Sequence, residues 1–156
     1  MIMSQLLEIP NLKGKVLNHI TIIQFGENYN NIFKYLHSDK DRKYFLIFLQ
    51  NLLSNRNFLV FFAPYSKPLV NKVIDFIRNK ILMPPCLGIL ENISTCQSLH
   101  KTFSNFNLLQ ILTKKNRKLI HLPKIQKFFR NLTFTPSVHH SILKSDVFNI
   151  LEAQNI

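Results

Sequence analysis

The segment Asn57 to Ala63, "NFLVFFA", constrains the fold of this chain more than any other, because it is an unbroken apolar run with a helical pattern on either side. Polar residues precede it and Pro64 ends it. A short run rich in Phe and Val, with no polar alternation, is the pattern of a strand covered on both faces. Before it, Ser38 or Asp39 can cap a helix, Asp41 falls in the first turn, and Phe45, Phe48, Leu49 and Leu52 recur at helical spacing. This predicts a helix from about Asp39 to Ser54. After it, Ser66 offers a capping oxygen and Pro68 is tolerated in a first turn. Val70, Val73, Ile74 and Ile77 then form the apolar stripe of a second helix ending near Lys80. Helix, buried strand and helix in close succession predict βαβ construction and an α/β fold with a parallel sheet.

Two further segments fit that scheme as strands: "HITIIQF", His19 to Phe25, ended by Gly26, and "PSVHHSIL" near the end of the chain. On a strand His139 and His140 point to opposite faces and do not share a ligand set easily. The pair Pro84-Pro85 stops the second helix, helix-like sequence resumes from Thr95 to about Leu112, and Ser145 caps a final helix "DVFNILEAQN". The stretch between, "PPCLGILENISTC", holds one of only three glycines and is expected to be a turn, with Gly88 retained where a Cβ would obstruct the backbone conformation or a close approach. No repeat, Gly/Ser linker or low-complexity tract divides the 156 residues, so residues 1–156 are expected to form one domain. A chain of this length can bury a core without disulfides.

Charge is the bulk property that bears on function. Twenty Lys and Arg against eight Asp and Glu leave a formal net charge of +12, a field that recruits polyanions: nucleic acid, an anionic membrane surface or an acidic protein. No apolar run reaches the ~18 residues of a membrane span. The densest cationic stretch is Lys114, Lys115, Arg117 and Lys118, followed by Lys124, Lys127 and Arg130, with no acid among them. Seven such charges repel one another without a counter-charge, which favours phosphate contact. Lys67, Lys72, Arg78 and Lys80 decorate the second helix, and Lys13, Lys15 and Lys101 add to the expected contact set. On the second helix alone a solvated face is an equally good reading. RNA suits the chain better than duplex DNA, since no helix-turn-helix or finger spacing appears and RNA is often held through shape and backbone.

The residues for chemistry are sparse. Cys86, Cys96, His100 and one of His139 or His140 could supply four metal ligands, but the spacing C-x9-C-x3-H departs from the close pairs of structural zinc sites, and isolated cysteines are more often small buried apolar groups. The eight acids fit helix caps and faces, leaving little for a paired-carboxylate site. There is no Gly-rich phosphate loop and no nucleophile elbow. The expectation is a binding protein without catalytic residues, metal or cofactor. Phe, Ile, Asn and Lys are abundant and Ala, Gly and Trp scarce, a bias that AT-rich codons produce and that points to an AT-biased genome, as organellar and parasite genomes often are. The N-terminal "MIMSQLLEIPNLKGK" has no Arg- or Ser-rich amphipathic stretch and reads poorly as a signal or transit peptide, so for a protein that works in an organelle local synthesis is the simpler expectation.

"SNRNFLVFFAPYSKPLVNKVIDFI" resembles the strand and following helix of the bacterial-type small-subunit ribosomal protein number two family. "CLGILEN" is similar to that family's Trp-Leu-Gly-Gly-x-Leu-Thr-Asn motif at Leu87, Gly88, Leu90 and Asn92, with Cys86 in place of Trp, Glu91 in place of Thr and one glycine missing. "TPSVHHSILKSDVFNILEAQNI" resembles the family's Leu-Pro-Asp strand, Glu-Ala helix and Ile-Pro step through Pro136, Glu152, Ala153 and Ile156, and "NNIFKYLHSDKDRKYFLIFLQNLL" can be laid more loosely on the segment that precedes them. The resemblance implies a three-layer parallel sheet of Rossmann-like or flavodoxin-like type, in which residues 93–135 form a shortened, basic helical insertion. The C-terminal part of the family fold would be missing or carried by a separate chain. It also implies a structural role in the mitochondrial small ribosomal subunit, with small-subunit rRNA and neighbouring ribosomal proteins as partners. Another organellar RNA-binding or ribosome-associated assembly protein is the alternative.

Overall fold

The computed structural model describes residues 19–104 and 122–143. In chain order these form α1 (His19–Tyr35), α2 (Asp39–Leu53), α3 (Arg56–Phe62), a 3-10 turn (Ala63–Tyr65), α4 (Ser66–Arg78), α5 (Met83–Ser94) and a second 3-10 turn (Gln97–Leu99). Then come α6 (His100–Ser104), α7 (Pro123–Thr133) and α8 (Pro136–Leu143). No strand occurs among the described residues. The expected α/β fold with its parallel sheet, and with it the three-layer Rossmann-like or flavodoxin-like architecture implied by the ribosomal resemblance, is therefore overturned.

Each misread segment has a physical reason for being helical. The "NFLVFFA" run begins α3 because the Asn55 side chain accepts a hydrogen bond from the Phe58 N–H at 3.1 Å, the N-cap arrangement that satisfies an orphan donor of the first turn. Its buried residues are Phe58, Leu59 and Phe62, a helical stripe, while Val60 and Phe61 are 51% and 40% exposed. A strand covered on both faces would have hidden them all. In α1 the β-branched start gives way to Phe25, Tyr29 and Phe33 at steps of four, and these rings pack on one another and on Phe45, Phe48, Phe58 and Phe62 of α2 and α3. In α8 Val138 and Ile142 are buried, and a four-residue step fits a helix as well as it fits alternation.

The Pro84-Pro85 pair starts a helix instead of stopping one. Both prolines lie in the first turn of α5, where the missing N–H groups would have had no intrahelical partner. The expected turn at 84–96 is thus mostly helix, and its Pro85, Cys86, Leu87, Gly88, Ile89, Leu90 and Ile93 are all buried. A helix apolar on every side must lie at the centre. Around α5 pack α2 and α7, then α4, with α1 and α3 completing an aromatic cluster on the α2 side. On the other side α6 and α7 meet through Phe103, Phe128 and Phe129, and α8 closes over them.

The predicted helices fare better. α2 begins where expected, with the Ser38 side chain accepting from the Asp41 N–H at 3.1 Å. α4 buries Leu69, Val70, Val73, Ile74 and Ile77, although Ser66 is its first residue and turns its hydroxyl back to donate to the Ala63 carbonyl. Between α4 and α5 the chain takes two left-handed conformations at Lys80 and Leu82. In the helix-like stretch expected over 95–112, Thr95 and Cys96 link α5 to the 3-10 turn and α6 follows; residues 105–112, like the final helix expected after Ser145, lie outside the described residues.

Among the described residues no single helix is long and apolar enough to cross a membrane. The bent pair Asp39–Leu53 with Arg56–Arg78 has the combined length and composition, but it turns by 105° and its apolar stripes line the core described above.

Candidate nucleic-acid interface

Among the described helices α7 is the most strongly two-sided. Ile125, Phe128, Phe129 and Leu132 are fully buried against the core. Lys124, Lys127 and Arg130 stand on the exposed side, and with Asn131 and Phe134 they follow one another at steps of three and four, which places them along one face. From Lys124 to Phe134 this face extends about 15 Å at the helical rise. Lys127 bonds to Glu91 of α5 at 2.9 Å, an ion pair that ties the two helices. Lys124 and Arg130 form no ion pair among the described residues. Phe134 ends the helix as its C-cap, its backbone still right-handed and its N–H bonded to the Leu132 carbonyl, with its ring 75% exposed.

Where the ring of Phe134 stands, an open pocket of about 270 Å³ is lined by Ser94, Thr95, Gln97, His100, Asn131 and Phe134. Its floor is a buried polar network. His100 bonds through Nε2 to the Ser94 carbonyl at 2.7 Å and through Nδ1 to the Thr135 hydroxyl. A carbonyl only accepts, so Nε2 carries a proton and donates it to Ser94. Asn131 donates to Ser94 Oγ at 2.9 Å, and Ser94 donates in turn to the Glu91 carbonyl at 2.6 Å. These bonds join the end of α5, the start of α6, the last turn of α7 and the residue before α8. Among the described residues no buried side-chain nitrogen or oxygen lacks a partner, so the network holds the pocket wall in one arrangement.

The remaining expected contact residues divide into three groups. Lys67, Lys72 and Arg78 are exposed on α4, as the helix pattern predicts, and Lys80 is exposed just beyond it. Arg78 pairs with Asp75 at 3.3 Å, and Lys72 lies 5.6 Å from the centre of the Phe33 ring, so this face is partly neutralised within the chain. Lys101 is exposed on α6. Lys13, Lys15, Lys114, Lys115, Arg117 and Lys118 lie outside the described residues.

The motif residues serve the interior. Leu87 and Leu90 fill the core, and Asn92 donates to the Gln50 carbonyl at 2.8 Å, fastening α5 to α2. Pro136 opens α8 in place of a strand. Of the possible metal ligands, Cys86 is wholly buried, and burial pushes its thiol up to about 12. Cys96 contacts the Ser98 hydroxyl at 3.2 Å, and both ring nitrogens of His100 are engaged as above. Among the described residues no group of three or more His, Cys, Asp or Glu side chains could hold a metal ion.

Reading by element missed Ser94, Thr95, Gln97, Asn131 and Phe134. For Asn131 and Phe134 the signal was the continuation of the α7 period past Arg130; Ser94, Thr95 and Gln97 come from the end of α5 and the turn after it, where the sequence carried none. Comparison with family models, with curated proteins and with solved structures finds no match.

Proposed function

We propose that this chain binds RNA as a component of a ribonucleoprotein particle, with the outward face of α7 as a principal contact. The observation that carries this is the exposed row Lys124, Lys127 and Arg130 on a helix whose other side is locked in the core, in a chain of net charge +12. A rigid helix presents cations at fixed spacing, as a phosphate backbone requires, and the counterions released on contact supply the affinity. The weaker row on α4 contributes through Lys67 and Lys80, which form no ion pair among the described residues. The organellar setting rests on the codon-biased composition. The small ribosomal subunit is the particle the sequence resemblance suggests, and with the α/β architecture overturned its support reduces to charge.

The test is filter binding of the full chain to RNA between about 50 and 200 mM salt. The logarithm of the affinity should fall linearly with the logarithm of salt. Replacing Lys124, Lys127 and Arg130 with Gln together should reduce that slope by roughly two to three. Binding that ignores salt, or a triple variant indistinguishable from the parent, would sink the reading. Co-sedimentation with purified small subunits at moderate salt separates a ribosomal component from another RNA-binding protein: the former travels with the subunit, the latter stays near the top of the gradient.

A further inference from the structure

We propose that the pocket at the end of α7 receives one unpaired base of single-stranded RNA, stacked on Phe134, while Arg130 holds the adjoining phosphate. This rests on the RNA-binding reading above and adds to it the form of RNA and the site of a base. The first ground is alignment. Arg130 is one turn before Phe134 on the same face and Lys127 one turn before Asn131, so the cation row leads into the pocket instead of running past it.

The second ground is the ring itself. Phe128 and Phe129 of the same helix are fully buried, whereas Phe134 is 75% exposed and set by the helix end. An exposed aromatic face beside cations is what single-strand binders use, because every base has a face to stack and a backbone phosphate next to it. A base inside a duplex is stacked on its neighbours and cannot lie on this ring, so the pocket selects unpaired nucleotides.

The third ground is the chemistry of the walls. Asn131 spends one amide hydrogen on Ser94, and among the described residues its carbonyl oxygen and second hydrogen have no other bond. Thr95 donates to the Asn92 carbonyl at 2.7 Å and keeps its hydroxyl lone pairs, and the Gln97 amide is exposed at the rim. Amides and hydroxyls match the mixed donors and acceptors of a base edge, and no carboxylate lines the pocket to repel phosphate. At about 270 Å³ the pocket falls just below the range of drug-sized sites, ~300–1,000 Å³, and suits one flat ring system.

The experiment compares an unstructured single-stranded RNA oligonucleotide with an abasic oligonucleotide of equal length, using the full chain and its Phe134→Ala, Phe134→Tyr and Arg130→Gln variants. Phe134→Ala should weaken binding to the RNA roughly tenfold, leave the abasic affinity and the salt slope unchanged, and be rescued by Phe134→Tyr. Arg130→Gln should weaken both oligonucleotides and lower the salt slope by about one. An unchanged melting temperature shows that the exposed ring was removed without damage to the fold. If Phe134→Ala binds the RNA as the parent does, or loses equally on the abasic strand, the base pocket is wrong while salt-dependent RNA binding stands. If the parent binds neither oligonucleotide nor structured RNA, both readings fall.

Discussion

Gly88 lies where α5 and α2 approach closely. It sits inside α5 with no left-handed backbone, and a Cβ built on it would collide with the carboxamide end of Gln50 from α2. Glycine in a helix interior costs up to about 1 kcal/mol relative to alanine, so its presence here reflects the crossing and not the local chain. Gly88→Val should destabilise by roughly 1–3 kcal/mol, because the branched side chain overpacks the crossing. The sharper measurement is a double-mutant cycle by denaturant unfolding. Gly88→Ala alone should be near neutral or mildly destabilising, whereas in a Gln50→Ala background the same change should stabilise by up to about 1 kcal/mol. Equal effects in the two backgrounds would show that Gln50 does not set the constraint. The close approach at Gly88 was legible in the sequence, since glycine is so scarce in this chain. That the approach belonged to a buried helix was not, because the preceding Pro84-Pro85 reads equally well as a stop or as a start.

Among the elements, α2 and α4 were legible because their apolar positions follow the helical period and polar residues fill the rest. α3 and α5 were not, for one shared reason: where nearly every position is apolar there is no period to read. The deciding signals were local, Asn55 as a cap and the prolines in a first turn, and both are weak beside a run of Phe, Val, Ile and Leu. The α4 to α5 connection shows the same economy. The Ile81 N–H bonds to the Phe76 carbonyl at 2.8 Å and the Lys80 N–H to the Ile77 carbonyl at 3.1 Å, a Schellman ending that places Lys80 at φ 59°. Glycine is the residue that occupies this position without a steric penalty. Lys80→Gly is therefore expected to raise stability by up to about 1 kcal/mol, read as a higher denaturant midpoint with unchanged slope. Because the same change removes an expected phosphate contact, it also separates folding from binding: a variant that is more stable and yet binds RNA more weakly assigns Lys80 to the interface. A lowered midpoint would mean that the Lys80 side chain contributes more than its backbone costs.

At the scale of the whole molecule, two ionisable groups among the described residues of the core, Tyr29 and Cys86, must stay protonated for the helices to remain packed. Burial pushes the Tyr29 phenol up to about 12, a hydrogen bond from the Leu69 backbone offsetting part of the effect, and burial alone pushes the Cys86 thiol as high. In the unfolded chain they ionise near 10 and 9. Between those values and about 12 the folded protein therefore holds more protons than the unfolded one, and stability falls as pH rises. Below pH 9 the contribution is fully present. Ordinary lysines lose charge over the same range, which relieves self-repulsion in so basic a chain and works in the opposite direction. A comparison with Tyr29→Phe cancels that term. At pH 8 the variant should be less stable by about 1 kcal/mol, since the Tyr65 carbonyl loses the hydrogen bond that Tyr29 Oη donates at 2.9 Å. By pH 11.5 the gap should close or reverse, because the parent alone must then keep a phenol protonated that its unfolded chain ionises freely. A gap constant from pH 8 to 11.5 would mean that the phenol is no more buried than in the unfolded chain, and would count against the α1 packing that places it beside Phe25 and Phe62.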